Sequence, residues 1–266
     1  MEFLAILLSG LLALVSPAGL VLDRTAENAI RSRFESVEQL QVRVDNTPSY
    51  QILQGKVERV RIAGRGLFPV KDIRIDTLEV ETDPLEIDPH SLRQGRPKLE
   101  KPVQAGVRLV LKPEDINEAL RSPLVTARLK NLAGSLVGSS PVTQQVQRYQ
   151  LLDPRVEFLP NNRLRLQATL QEANDPEKLA VTVESGLGIM AGQQLQLIDP
   201  AVLVNGQAAP SELATALASG ISNRFNLRNL EASGLTVRLL KLDIYPSQLE
   251  LAGFVKVDPK LTASRK

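Results

Sequence analysis

Residues 70–82, VKDIRIDTLEVET, alternate apolar and polar side chains twice over, and the two halves are out of phase. Ile73 and Ile75 fall on odd positions; Leu78 and Val80 fall on even ones. Successive side chains of a strand point to opposite faces, so a regular strand cannot bury both sets on one side. A β-bulge or sharp twist near Asp76-Thr77 is therefore predicted. The same fault recurs near the C-terminus, where Leu235, Val237 and Leu239 give way to Leu240, Leu242 and Ile244. Two long faulted strands predict a curved sheet.

Working outward, the pattern stays mostly period-two. Gln41 to Val44 and Gln51 to Ala63 read as strands, broken by Asn46-Thr47-Pro48. Gly64-Arg65-Gly66-Leu67-Phe68-Pro69 has the composition of a turn. Downstream, four prolines punctuate a loop over 83–102, and Val103, Ala105, Val107, Leu109 and Leu111 form one clean strand face. Pro113 to Leu120 reads as a short helix, with Pro at its first position and acids in its first turn. A second helix can start at Ser122-Pro123, followed by a polar connection over 138–148. Further strands carry Leu164, Leu166, Ala168 and Leu170, then Leu179, Val181 and Val183, then Val202 and Val204. Pro210 opens a helix with Leu213, Leu217, Ile221 and Phe225 on one stripe, and strands at 234–245 and 248–257 end the chain. Near the N-terminus, Ala26, Ala29, Ile30, Phe34 and Val37 recur at helical spacing and predict a helix over 24–38. One apolar face per strand, with few crossover helices, argues for antiparallel pairing. The fold class is α+β: a long, curved, bulged antiparallel sheet rolled around one or two long helices.

At 266 residues the chain is long enough for a core without disulfides or metals. Residues 23–266 read as a single α+β domain, with 1–22 set apart. Leucine is 44 of the 266 residues, and Phe and Tyr together number nine, so the interior is aliphatic. A formal net charge of +2 and the lack of Trp give no basis for a nucleic-acid partner. With no Cys and one His, thiolate chemistry and Cys/His zinc sites are excluded. Residues 3–22, FLAILLSGLLALVSPAGLVL, carry no charge. Phe3 to Val15 has the length of a signal-peptide core, and Ser16-Pro17-Ala18 offers small residues for cleavage after Ala18. The whole stretch would also span a bilayer as an anchor, or serve as a buried helix. No basic residue precedes it, and Arg24, Arg31 and Arg33 follow, which the positive-inside rule would place in the cytoplasm. Export to the cell envelope, on the periplasmic side, is the first reading and a cytoplasm-facing anchor the second.

Little in the chain marks catalysis. Glu79, Glu81 and Asp83 share a strand face and could hold a cation or act as an acid/base pair, but a solvated face that discourages edge pairing explains them as well. His90 lies in a Pro-rich loop with no nucleophile beside it. There is no Walker motif, no complete dinucleotide fingerprint and no nucleophile elbow at Ser185. Gly66-Leu67-Phe68-Pro69-Val70 is more suggestive. Two bulky apolar residues in a turn, bracketed by Arg65 and Lys71, have the make-up of a membrane-docking loop, although the same Leu and Phe could fold back under the sheet.

Several pieces match a known pattern in order. They are Ala26-Glu27-Asn28-Ala29-Ile30; Leu53-Gln54-Gly55-Lys56-Val57 leading into Val60-Arg61-Ile62-Ala63-Gly64; Glu81-Thr82-Asp83-Pro84; and Leu111-Lys112-Pro113-Glu114-Asp115-Ile116-Asn117. Over about 20–257 the chain resembles the LmeA-like phospholipid-binding family of bacterial envelope proteins. The resemblance implies a non-enzymatic, membrane-associated protein that binds or transfers phospholipid, with no cofactor and no catalytic residue, in a tubular lipid-binding architecture. On that footing Val107, Leu109, Leu164, Leu166, Val181 and Val183 are expected to line an acyl channel with Leu213, Leu217 and Ile221. Filled and hollow interiors use the same leucines, so a structural or assembly factor with a solid core is the alternative, and an enzyme using Glu81 and His90 a more distant one.

Overall fold

The computed structural model describes residues 27–28, 30–45, 51, 54–93, 98–123, 125–126, 149–172 and 176–259. The strands are β1 (Ser36–Asp45), β2 (Lys56–Val57), β3 (Arg59–Val70), β4 (Ile73–Thr82), β5 (Leu85–Glu86), β6 (Val103–Leu111), β7 (Tyr149–Leu159), β8 (Arg163–Glu172), β9 (Lys178–Met190), β10 (Gln194–Val204), β11 (Gln207–Ala208), β12 (Leu235–Tyr245) and β13 (Gln248–Val257). The helices are α1 (Pro89–Arg93), α2 (Pro113–Arg121) and α3 (Ser211–Arg224), and a 3-10 helix follows at Leu227–Ser233. The α+β class therefore fits, with antiparallel sheet dominant and few helices. Among the described residues no helix is long and apolar enough to cross a membrane. Residues 1–22, the expected leader or anchor, lie outside the described residues.

The described residues form two compact units. One comprises the described residues up to Val110, with Leu227–Leu240 and those from Leu251 on; the other comprises the described residues of Leu111–Asn226 and Lys241–Glu250. The first sheet has six strands in the order β1-β3-β4-β6-β13-β12, and the second has five in the order β11-β10-β9-β8-β7. A two-stranded β2–β5 pair stands beside them.

The first unit buries an aliphatic core. Register places Leu40, Gly64, Leu78 and Leu109 in one row, and Val42, Ile62, Val80 and Val107 in the next. Leu40, Val42, Ile62, Leu78 and Val80 are buried, as are Ile30 and Phe34 ahead of β1. Each such side chain contributes roughly 1.5–3 kcal/mol on leaving water. The helix expected over 24–38 is cut short: residues 30–31 are helical, but β1 already begins at Ser36. Val37, assigned to the helix from its spacing, instead pairs with Leu67 across β1 and β3.

The expected face switches exist as burial. Ile75 is buried on one phase, and Leu78, Val80 and Thr82 on the other. Leu235 and Val237 are buried on one phase, and Leu242 and Ile244 on the other, with Leu240 left 75% exposed between them. Pairing across Asp76-Thr77 is nevertheless regular. Register shifts lie at Leu67/Val70 between β3 and β4, at Leu152/Arg155 between β7 and β8, and at Ile198/Ala201 between β9 and β10. Each shift encloses a proline (Pro69, Pro154, Pro200), which has no N–H to give a ladder.

Candidate functional site

The five-stranded sheet gathers apolar residues on one face. Val156 stands opposite Leu166, Leu166 opposite Val183, and Val183 opposite Val202. Directly opposed residues in antiparallel strands share a face, so this row crosses four strands, roughly 14 Å of sheet. Flanking rows add Phe158 and Leu164 on one side and Ala168, Val181 and Val204 on the other. Four of the expected channel residues, Leu164, Leu166, Val181 and Val183, are thereby brought together. Cover over this face is uneven. Phe158, Leu164 and Val202 are buried, Val181 and Val183 are half-buried, and Leu166 keeps 38% of its surface exposed.

The other expected channel residues are placed apart from that row. Val107 and Leu109 belong to the six-stranded sheet, half-buried opposite Val80 and Leu78. Leu213, Leu217 and Ile221 sit on α3, which packs against β10; their side chains lie outside the described residues.

The docking turn is corrected by the structure. Arg65, Leu67 and Phe68 are all within β3, and the chain reverses at Lys71-Asp72, where Asp72 has φ +68°. Leu67 is 0% exposed, and its methyl groups fill the space that a side chain at Gly64 would need. Gly66 has φ +57°, and a Cβ there would strike the Glu38 carboxylate. Leu67 is a core residue, because Gly64 makes room for it within the strand rather than forming a loop. Phe68 is half-buried opposite Ser36. Only Lys71 of the four docking residues lies in the turn.

The opposite face of the six-stranded sheet is ionic, a feature not read from the sequence. Arg43 stands opposite Arg61, Arg61 opposite Glu81, and Glu81 opposite Gly106; the adjacent row runs Gln41, Ala63, Glu79 and Arg108. Of the three acids expected on a solvated face, Glu79 and Glu81 stay exposed and are met by guanidinium groups. Glu79 lies 3.1 Å from Arg108, and Glu81 lies 3.2 Å from Arg59 and 3.7 Å from Arg61. Asp45 takes Arg43 at 2.8 Å and lies 3.1 Å from Arg61 through Oδ2. That Oδ2 is buried and the Arg61 approach lacks hydrogen-bond alignment, so the oxygen has no hydrogen-bond partner. A groove of about 1200 Å³ runs over this face, and a second hollow of about 820 Å³ shares Asp45, Arg61, Glu81 and Gly106 with it. The signal was available as Arg-x-Arg at 59–61 and Glu-x-Glu at 79–81, two runs that a hairpin brings into register.

The second sheet has a smaller ionic cluster. Arg165 donates to Glu184 at 3.0 Å and to Glu157 at 2.8 Å, and Arg163 reaches Glu184 at 3.3 Å. The Arg165 hydrogen bond, with Arg163 adding to it, holds the Glu184 carboxyl below its ordinary 4.5. His90 is exposed on α1, its N–H donating to Asp88 Oδ1 at 2.9 Å. No group of three or more His, Asp or Glu among the described residues is placed to hold a metal ion.

A model of the LmeA-like phospholipid-binding family matches residues 14–254. The chain belongs to that family. Comparison with curated proteins and with solved structures gave no match. The LmeA-like family is one of phospholipid-binding domains, not a known enzyme family, and lipid binding is what membership brings to this chain.

The family-like motifs turn out to be devices of the fold. Gly55 has φ +76°, and a Cβ there would strike the Ile87 carbonyl oxygen, while its own carbonyl accepts Ile87 N–H at 2.8 Å. Thr82, 2% exposed, accepts the Val60 N–H through Oγ1 at 3.0 Å. Asn117 on α2 clamps one peptide of β7: its Nδ2 donates to the Val156 carbonyl at 2.9 Å, and its Oδ1 accepts the Val156 N–H at 2.8 Å.

Proposed function

We propose that this LmeA-like protein binds phospholipid without catalysis, laying an acyl chain along the row Val156, Leu166, Val183 and Val202, and that it carries lipid at the bacterial cell envelope. The observation that supports this reading is the 38% exposure of Leu166 in the middle of an otherwise apolar row. A solid core would cover it; a lipid-binding face leaves it to the ligand. Each methylene covered contributes at most about 0.8 kcal/mol, so one chain along the row supplies useful affinity. The uncharged segment 3–22 supports envelope placement, by export or by anchoring. The tubular arrangement of the lipid-binding superfamily, a sheet rolled around a helix, belongs to the same proposal.

The test is native mass spectrometry of protein purified from its bacterial host without detergent. Phospholipid at a defined stoichiometry is expected. Leu166→Asp places its carboxylate where it stays partly hydrated, so the fold should survive while bound lipid drops at least tenfold. A wild-type protein that carries no phospholipid, and takes none from vesicles, overturns the reading in favour of a structural factor.

A further inference from the structure

The groove on the ionic face of the six-stranded sheet is separate from the apolar row and has the chemistry of a selective site. We propose that it binds a phosphodiester carrying a primary ammonium, the head-group chemistry of an ethanolamine phospholipid. The choice of a head group rests on the phospholipid reading above.

Three observations carry this. The small residues Ala63, Gly106, Ala252 and Gly253 are part of the groove's lining, with Gly106 opposite Glu81, and a Cβ at Gly106 would meet nothing within 4 Å. Its walls alternate in sign. Arg43 and Arg61 keep 71% and 44% of their side chains exposed, and each guanidinium has five N–H donors, so a phosphate can be added beside the carboxylates they already hold. Asp45 Oδ2 is buried without a hydrogen-bond partner on the row shared by both hollows. That oxygen is ion-paired with Arg61 at 3.1 Å but receives no hydrogen bond, so it can still take a donor, and an ammonium supplies three. A purely anionic ligand would leave that oxygen unsatisfied and set a second negative charge beside it. A ligand with both charges matches both walls.

The experiment is calorimetric titration of the full chain with glycerophosphoethanolamine, alongside glycerophosphoglycerol and inorganic phosphate. The first is expected to bind saturably and at least tenfold more tightly than the other two. Gly106→Leu fills the open space without displacing a neighbour, so it should keep the fold and lose at least tenfold in affinity. Asp45→Asn should bring glycerophosphoethanolamine to within about twofold of glycerophosphoglycerol. Equal binding of all three probes by wild type overturns the proposal, and equal affinity for inorganic phosphate alone marks a free-phosphate site instead. A folded Gly106→Leu protein that binds as wild type also overturns it; should that variant fail to fold, an unchanged preference in Asp45→Asn does so. Co-purified phospholipid is measured on the same samples. Wild type that carries phospholipid but ignores glycerophosphoethanolamine sinks this inference alone. Wild type that binds glycerophosphoethanolamine yet carries no phospholipid sinks the acyl-binding reading alone.

Discussion

Asn117 shows how a single side chain can tie a helix to a strand. Its amide meets the N–H and C=O of Val156, on the edge strand of the five-stranded sheet. An unpaired edge invites another strand, and an amide that occupies both groups closes it locally. Asn117→Ala leaves both groups unmatched and part-buried, so we expect a loss of about 1–3 kcal/mol in denaturant unfolding, with more self-association. An unchanged midpoint would mean water replaces the amide at no cost. Glu184 makes a second residue-level prediction, this time with pH. Its carboxyl is held below 4.5 chiefly by Arg165, so the folded state favours the charged form. A depressed folded value gives stability that is fully present above the unfolded value and lost as pH falls through the folded one. The melting-temperature gap between wild type and Glu184→Gln should therefore be constant from pH 7 to about 5 and shrink as pH falls below 4.5. A gap that widens on acidification would reverse the assigned sign. Neither role was legible in the sequence. Asn117 reads as a helix-start residue, and Glu184 pairs with Arg165 only once β8 and β9 are in register.

Strand β3 carries the element-scale lesson. GRGLFP has the composition of a turn, two glycines and a proline in six residues, yet every one of them is in the strand. Composition reports which backbone angles are allowed, not which are used. Gly64 is there for the volume Leu67 needs, Gly66 for its φ of +57°, and Pro69 for the register shift. The same logic repeats at Asp153-Pro154 and Asp199-Pro200, where each Asp has positive φ and the ladder slips. Prolines inside alternating runs were thus the readable bulge signal; the phase switches in burial were correctly read, but they mark where cover changes sides. The strands around Val103–Leu111 and Leu164–Leu170 were legible because strict alternation has one solution when one face is buried. Leu67→Ala tests the corrected reading. A fully buried leucine cut to alanine costs about 2–5 kcal/mol, so the variant should melt well below wild type. Liposome binding per folded molecule should stay unchanged. A drop in liposome binding with stability intact would restore Leu67 to a membrane-facing role.

At the scale of the whole molecule, 44 leucines left one question that alternation could not answer, whether the interior is filled or open. The two units differ in how far they cover such residues. The first buries Leu40, Val42, Val60, Ile62, Leu78 and Val80 on one face, while the second leaves Leu166 partly bare amid the same kind of residue. Both faces alternate with the same period; what differs is how far each is covered, which a local pattern does not report. If the open face is where lipid sits, then ligand is part of the folded state, and removing it should be visible in global stability. A ligand that binds only the native state stabilises it by RT ln(1 + [L]/Kd), about 2.7 kcal/mol at a hundredfold excess over Kd. For a chain of this size each kcal/mol moves the melting temperature by roughly 2–4 °C. Lipid-loaded protein should therefore melt about 5–10 °C above the same protein stripped by organic extraction and refolded, and adding phospholipid vesicles back should recover the difference. Leu166→Asp should melt at one temperature in either state. If stripped and loaded wild type melt together while lipid is still detected by mass, the lipid is held on the surface, and the row through Leu166 is not its site.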